Sequence, residues 1–104
     1  MKETLSDKSM LPVDIATTFG RNLHRCRKSS GLSQEELAVG ASLHRTEIGL
    51  LERGERLPRI DTMIKLAGAL SVPPSELIAG IDWSPGVTSR GSFVSPPEED
   101  DESK

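Results

Sequence analysis

The sequence predicts a small all-α domain, and three observations lead to that prediction. Apolar residues recur at spacings of three and four along most of the chain, which is the period of a helix that buries one face. Hydrophobic residues make up 35% of the 104 residues, but only two phenylalanines and one tryptophan are aromatic, so the core should be aliphatic. Serine, proline and glycine stand where helices of that period would begin and end.

The first helix is predicted from one apolar stripe. Its members lie four, four and three residues apart: Ile15, Phe19, Leu23 and Cys26. We expect the helix to begin at residue 12 or 13, because Pro12 suits an opening turn, and to end near residue 29, before Gly31. Cys26, the only cysteine, is interpreted as a small core residue rather than a redox group.

Two short helices joined by a tight turn are predicted over residues 33–54. Ser33 and Glu36 have the spacing of a capping box, in which each side chain bonds the other residue's backbone N–H. The turn is expected near residues 41–43. The second of these helices is expected to begin at His44 or Arg45 and to end near residue 53, before a glycine.

This second helix has two distinct faces when successive residues are placed about 100° apart. Ile48 and Leu51 share the inner face. The opposite face and its flank are short-chained and partly basic: Arg45, Thr46, Gly49, Leu50 and Arg53. A helix with such a face fits the major groove of DNA, but an ordinary amphipathic helix with a solvated face explains the pattern equally well.

Two more helices are predicted after a loop that carries Arg56, Pro58 and Arg59. Apolar spacing predicts a fourth helix over residues 60–70, and Pro74 should open a short fifth helix that ends near residue 80. We therefore expect a domain over residues 12–83, a flexible lead-in over residues 1–11 and a disordered acidic tail over residues 84–104.

The sequence lacks the residues that several classes of protein function require. No apolar run approaches the length that spans a bilayer, and the N-terminus has no signal-peptide core, so we expect a cytoplasmic protein without membrane contact. His24, His44 and one cysteine are too few for a metal cluster, and no catalytic set is present. We expect no enzyme, no metal and no cofactor. The formal net charge of −3 resides mainly in the tail, which leaves the body close to neutral.

Three segments at this spacing, G-L-S-Q-E-E-L-A, H-R-T-E-I-G-L-L-E-R-G and L-A-G-A-L-S-V, resemble the phage repressor and Cro type of helix-turn-helix, also called the XRE family. The resemblance covers residues 19–79. It implies a five-helix, lambda-repressor-like DNA-binding domain whose third helix reads the major groove of double-stranded DNA. It also implies a sequence-specific transcriptional regulator, a repressor that binds a palindromic operator as a homodimer.

The resemblance assigns contacts residue by residue. The base-contacting residues implied are Arg45, Thr46, Gly49 and Leu50. The phosphate-contacting residues expected from position are Gln34, Arg53, Arg56 and Arg59, although a solvated basic loop would explain the last three as well. Ser42 departs from the family pattern, because it stands where a turn glycine is usual, and we expect some backbone strain there.

Arg27 and Glu52 are predicted to form a structural ion pair. Arg27 lies beside Cys26 at the edge of the first stripe, and Glu52 leans inward on the third helix. Opposite charges at the rim of one core should pair, because an unpaired buried charge is costly. In repressors of this type, the matching arginine and glutamate form such a pair.

Apolar residues near the end of the domain are predicted to form the dimer interface: Leu77, Ile78, Ile81 and Trp83. In the rival interpretation, Trp83 covers the core of its own chain. An alternative function is an antitoxin or adaptor that binds a protein partner, such as a toxin, through its C-terminal segment. The acidic run at residues 98–102 either solubilises the protein or competes with DNA for the basic face.

Overall fold

The computed structural model describes residues 11–87 and 90–96, which fall into two units. The first, the helical unit, is Ile15–Ala79. The second, the sheet unit, contains the described residues before Ile15 and after Ala79. None of the described helices is long and apolar enough to cross a membrane.

The helical unit contains four α-helices around an aliphatic core. They are α1 (Ile15–Ser30), α2 (Gln34–Ala41), α3 (Arg45–Glu52) and α4 (Ile60–Leu70). The largest side chains that are fully buried come from all four helices and the segment after α4: Phe19, Leu23, Leu37, Ile48, Leu51, Leu66 and Leu77. Burying one such side chain contributes roughly 1.5–3 kcal/mol, so this cluster supplies much of the driving force for folding.

Helix α2 begins with a capping box and ends at a residue in the left-handed region. The backbone N–H of Glu36 donates to Ser33 Oγ (2.9 Å), and the N–H of Ser33 donates to Glu36 Oε1 (2.8 Å), which confirms the capping box. Ser42 ends α2 in the left-handed region, with φ 56° and ψ 48°. A residue with a Cβ costs about 1–2 kcal/mol in that conformation, so the strain expected at Ser42 has a structural basis.

A close contact between α1 and α3 depends on Gly20. A Cβ placed on Gly20 would lie 2.5 Å from the carbonyl oxygen of Leu51 and 2.6 Å from that of Glu52. These obstacles are backbone atoms, which a rotamer change cannot move. Gly20 therefore permits the short distance between the two helices, a role that its position in the sequence does not indicate.

The predicted fifth helix begins at Pro74 as expected but is a single 3₁₀ turn, Pro74–Glu76, so the described residues contain four α-helices rather than five. The N–H groups of Glu76 and Leu77 donate to the carbonyls three residues earlier, Pro73 O (2.9 Å) and Pro74 O (3.0 Å), which is the spacing of a 3₁₀ helix rather than an α-helix. The carbonyls that follow bond a side chain instead. The buried amide of Asn22 on α1 donates to Leu77 O (3.0 Å) and Ala79 O (2.9 Å).

The sheet unit is a three-stranded antiparallel sheet that differs from the all-α prediction. Its strands are β1 (Leu11–Pro12), β2 (Asp82–Ser84) and β3 (Ser92–Ser95), in the spatial order β1-β3-β2. Trp83 lies opposite Phe93, and their rings pack edge to face with centroids 4.9 Å apart. The short strands pair residues distant in sequence, so local periodicity gives little indication of them.

The strands change three of the predicted boundaries. α1 begins at Ile15 rather than at residue 12 or 13, because Leu11 and Pro12 pair with β3 and the N–H of Val13 donates to Phe93 O (3.1 Å). Part of the predicted disordered tail is strand β3, and Leu11 of the predicted lead-in is in β1. The rest of the lead-in, residues 1–10, and the acidic run lie outside the described residues.

Candidate nucleic-acid interface

α3 presents the two faces that its sequence predicts. Ile48 and Leu51 are fully buried in the core, whereas Arg45 and Thr46 are exposed and Leu50 is partly exposed. The outer face of α3 therefore begins with the long cationic side chain of Arg45 beside the short hydroxyl side chain of Thr46. Arginine offers paired N–H donors that match guanine O6 and N7, and an exposed leucine suits the thymine methyl group.

Gly49, a predicted base contact, does not lie open on this face. It is buried, and a Cβ built on it would lie 3.0 Å from Nη1 of Arg53. Side chains on a helix lean towards the preceding turn, so Arg53 extends back over the residue four positions earlier. The missing side chain at Gly49 makes room for the Arg53 guanidinium.

The predicted phosphate-contacting arginines are all exposed, but two of them pair with neighbouring acids. Arg53 Nε lies 2.9 Å from Glu55 Oε2, and Arg59 Nε lies 3.3 Å from Asp61 Oδ1. Exposed pairs of this kind contribute about 0–1 kcal/mol, so a stronger partner such as a phosphate can displace the acid. The basic loop sequence indicated the arginines but not these local pairs.

Gln34 is the first residue of α2 and is partly buried. Its side-chain Nε2 donates to Glu52 Oε1 (3.1 Å). The capping box uses the N–H groups of Ser33 and Glu36. The first N–H groups of a helix lack intrahelical partners, and a helix N-terminus attracts anions. The start of α2 thus combines a side-chain amide with a positive helix end.

The structure brings together Arg27 and Glu52, the predicted ion pair. Arg27 Nε donates to Glu52 Oε2 (2.6 Å), and Arg27 Nη2 donates to Oε1 (3.1 Å). The remaining guanidinium nitrogen, Nη1, donates to Leu32 O (2.9 Å). Both side chains are at most 10% exposed, so the pair links α1 to α3 away from most solvent.

The environment of Glu52 keeps its carboxylate charged. Burial alone would raise its pKa, but hydrogen bonds from Arg27, His24 and Gln34 together outweigh burial and hold the pKa of Glu52 below its ordinary value. The hydrogen bond to Glu52 in turn raises the pKa of Arg27. His24 Nδ1 lies 3.1 Å from Glu52 Oε1, a contact that sequence reasoning missed. The only available signal was the three-residue spacing of His24 and Arg27 on α1.

The four predicted interface residues have different environments. Leu77 is fully buried in the core of the helical unit, so the prediction that it lies on an accessible interface is wrong. Ile78 is 42% exposed in the same unit. In the sheet unit, Ile81 is partly buried, and Trp83 is 55% exposed although its ring packs against Phe93.

Comparisons with known proteins agree with this arrangement. A family model described as helix-turn-helix, HTH_3, matches residues 23–77. The chain is 36% identical over 73 residues to an uncharacterized HTH-type transcriptional regulator, y4dJ, of Sinorhizobium fredii. That match covers 70% of this chain and 95% of the regulator. The chain is 41% identical over 66 residues to the control protein C.BamHI of Bacillus amyloliquefaciens, covering 62% and 82% of the two chains.

The fold is also similar to solved structures. The restriction-modification controller protein C.AhdI of Aeromonas hydrophila has 42% sequence identity and a TM-score of 0.59. That match covers 60% of this chain and 94% of the controller protein. The strands of the sheet unit have no part in the family match, which ends at residue 77.

Proposed function

This chain belongs to the HTH_3, or XRE-type, family of DNA-binding helix-turn-helix transcription regulators, and on that premise we propose that it is a repressor that reads a palindromic operator through α3. The observation that carries the proposal is the sidedness of α3, which buries Ile48 and Leu51 and exposes Arg45 and Thr46. The family is one of regulators rather than enzymes. We place the protein in the cytoplasm, where a bacterial operator is accessible.

Base recognition is assigned to the exposed face of α3. Arg45 donates two hydrogen bonds to O6 and N7 of a guanine, Thr46 bonds a neighbouring base edge, and Leu50 contacts a thymine methyl group. Gly49 takes no base contact in this proposal, because the side chain of Arg53 covers it. Its role is to admit that guanidinium to the face of α3.

Phosphate contacts flank this face and fix the orientation of α3. Gln34 and the N-terminus of α2 hold one phosphate, and the exposed arginines of the following loop hold others: Arg53, Arg56 and Arg59. Each arginine that neutralises a phosphate displaces a counterion condensed on the DNA, so binding should weaken steeply as salt rises.

A single α3 contacts too few base pairs to select one site in a genome, so we propose that two copies bind together. Two recognition helices separated by about one DNA turn, roughly 34–36 Å, would read an inverted repeat. The exposure of Ile78 in the helical unit and that of Trp83 in the sheet unit each support an apolar contact between copies, and Ile81 of the sheet unit is partly buried. Leu77 is omitted because it belongs to the core.

Selection from a pool of random duplexes tests this function. We expect the full chain to enrich an inverted repeat, and Arg45→Ala to lose discrimination at one base position in each half-site, at a cost of about 1–3 kcal/mol. Arg56→Ala is the matched control, because the loss of a phosphate contact should weaken binding to all sequences equally. No enriched sequence contradicts the function, and an equal loss on every sequence for Arg45→Ala contradicts its role as a base reader.

A narrower candidate is control of a restriction-modification system. It is favoured by the similarity to C.AhdI, described as a restriction-modification controller protein, at 42% identity, and to C.BamHI, described as a control protein, at 41% identity. The selected operator should then lie upstream of an endonuclease or methyltransferase gene in the source genome. An operator found only beside unrelated genes contradicts this candidate and leaves the broader function intact. The antitoxin alternative receives no support from these relatives, none of which is described as a toxin partner.

A further inference from the structure

The carboxylate of Glu52 accepts more hydrogen bonds than its ion pair requires. Arg27 alone donates to both of its oxygens, at 2.6 and 3.1 Å. The Glu52 side chain is only 6% exposed, yet Oε1 also accepts from Gln34 Nε2 at 3.1 Å. This additional bond connects the end of α3 to the first residue of α2, where the proposed phosphate contact lies.

The bond determines which way the Gln34 amide faces. A glutamine amide has two donors on nitrogen and one acceptor oxygen, whereas an ionised carboxylate only accepts. Glu52 therefore holds Nε2 towards itself and disfavours the flipped amide, which would bring two acceptor oxygens together. One N–H of Nε2 is used in this bond, and the second N–H remains fixed in direction.

Gln34 also belongs to the first turn of α2, which has backbone donors of its own. The capping box occupies the N–H groups of Ser33 and Glu36, and within the described part of the chain no hydrogen bond engages those of Gln34 and Glu35. The three remaining donors belong to two consecutive residues. A phosphate oxygen, which accepts several short hydrogen bonds, suits such a group.

We propose that Glu52 is a positioning residue for DNA binding: it holds the Gln34 amide in the orientation that donates to a DNA phosphate. The inference rests on the proposed function, because it assigns a role to Glu52 through the phosphate contact of Gln34. Glu52 thus serves two purposes with one carboxylate. It neutralises the buried Arg27, and it orders a side chain of the DNA-binding surface before DNA arrives.

The sequence allows a direct NMR test of whether Glu52 orients the Gln34 amide. Gln34 and Asn22 are the only residues of the chain with side-chain amides, so an amide NMR spectrum contains two side-chain NH₂ pairs. Asn22 is an internal reference, because its amide bonds Leu77 O and Ala79 O and does not contact Glu52. In the wild type we expect the Gln34 pair to be displaced from the position of a free glutamine.

Replacing Glu52 should release Gln34 without unfolding the protein. Glu52→Met alone leaves Arg27 without its partner, so the main variant is the double substitution Arg27→Met/Glu52→Met, which removes both charges. We expect its Gln34 pair to move to the position of a free glutamine while the Asn22 pair stays in place. His24→Ala is the matched control, since it removes another donor to Oε1 but retains the bond to Gln34. An unmoved Gln34 pair in the double variant overturns the proposal.

Measurements of DNA affinity test whether the oriented Gln34 amide contributes to binding. On a selected duplex, Gln34→Ala should weaken affinity about 3- to 10-fold in the wild-type background, as for one hydrogen bond, and should have no further effect in the Arg27→Met/Glu52→Met background. Equal losses in both backgrounds, with specific binding intact, overturn the inference and leave the proposed function standing. A chain that selects no duplex overturns the proposed function, and the phosphate role of Gln34 with it.

Discussion

Glu52 shows how a single side chain acquires several roles from its surroundings. It lies at the end of α3, and its carboxylate receives bonds from two residues of α1 and one of α2. A buried carboxylate is costly unless donors surround it, and here they do. Removing any one partner therefore affects the others, since they share two oxygen atoms.

At this residue scale, we predict that Arg27→Ala and Glu52→Ala each lower the free energy of unfolding by about 3–5 kcal/mol and that their effects do not add. Each single substitution leaves one buried charge without a partner, whereas the double substitution leaves none. Urea unfolding of the wild type, both single variants and the double variant gives the coupling. Purely additive losses contradict the buried pair.

The depressed pKa of Glu52 also predicts how stability depends on pH. Because the folded-state pKa is lower than the unfolded-state pKa, the unfolded chain binds a proton first as pH falls. The contribution of Glu52 is present above the unfolded-state pKa of glutamate and is lost as pH falls through the lower folded-state pKa. We expect Arg27→Met/Glu52→Met to lose less stability in acid. Identical acid dependence in urea unfolding contradicts this.

At the scale of elements, the separation of α1 and α3 depends on a residue that has no side chain. Gly20 allows the backbone of α3 to approach α1, and this approach also places Arg27 within reach of Glu52. Helices α2 and α3 are only eight residues long. Helices of that length are marginal in isolation, so contact with α1 and α4 must stabilise them.

Two glycine substitutions should have opposite effects. Gly20→Ala should destabilise the fold by about 1–3 kcal/mol or more, because its Cβ meets two backbone carbonyl oxygens. Gly68→Ala on α4 is the matched control. Its Cβ would meet nothing within 4 Å, so alanine should stabilise the helix by up to about 1 kcal/mol. Thermal unfolding compares the two. Equal shifts of either sign contradict the role assigned to Gly20.

For the whole molecule, DNA selectivity depends on how many copies bind. The helical unit holds one α3, and several large apolar side chains outside the core are exposed in one unit or the other. Exposed apolar residues are normal when scattered, so exposure alone does not identify an interface. The same substitution made at two such residues shows which of them contributes to the contact between copies.

We predict that Ile78→Asp weakens self-association and binding to an inverted-repeat duplex, because a charge would enter the apolar contact between copies. Val39→Asp is the matched control, since Val39 is 77% exposed and lies outside the predicted interface. Sedimentation with and without the duplex measures the number of copies. One copy on the inverted repeat for the wild type, or equal effects of the two substitutions, contradicts the dimer. Leu77→Glu is unsuitable, because Leu77 is in the core.

The sequence by itself determined the features that depend on neighbours three or four residues away. The four helices, the capping box of Ser33 and Glu36, and the sidedness of α3 follow from such spacings. Much of the candidate site could therefore be predicted: Arg45 and Thr46 are exposed, as the helical period requires. The resemblance to a known family added the assignment of these residues to DNA.

Only the tertiary structure decided the features that join residues distant in sequence. The bond of Gln34 to Glu52 spans 18 positions, and that of Asn22 to Ala79 spans 57. The latter contact accompanies a 3₁₀ turn where local spacing predicted a fifth helix. The strands pair residues as distant as Leu11 and Ser95, each over too few positions to leave a period. Because such contacts form only after the chain folds back on itself, no window of local sequence records them.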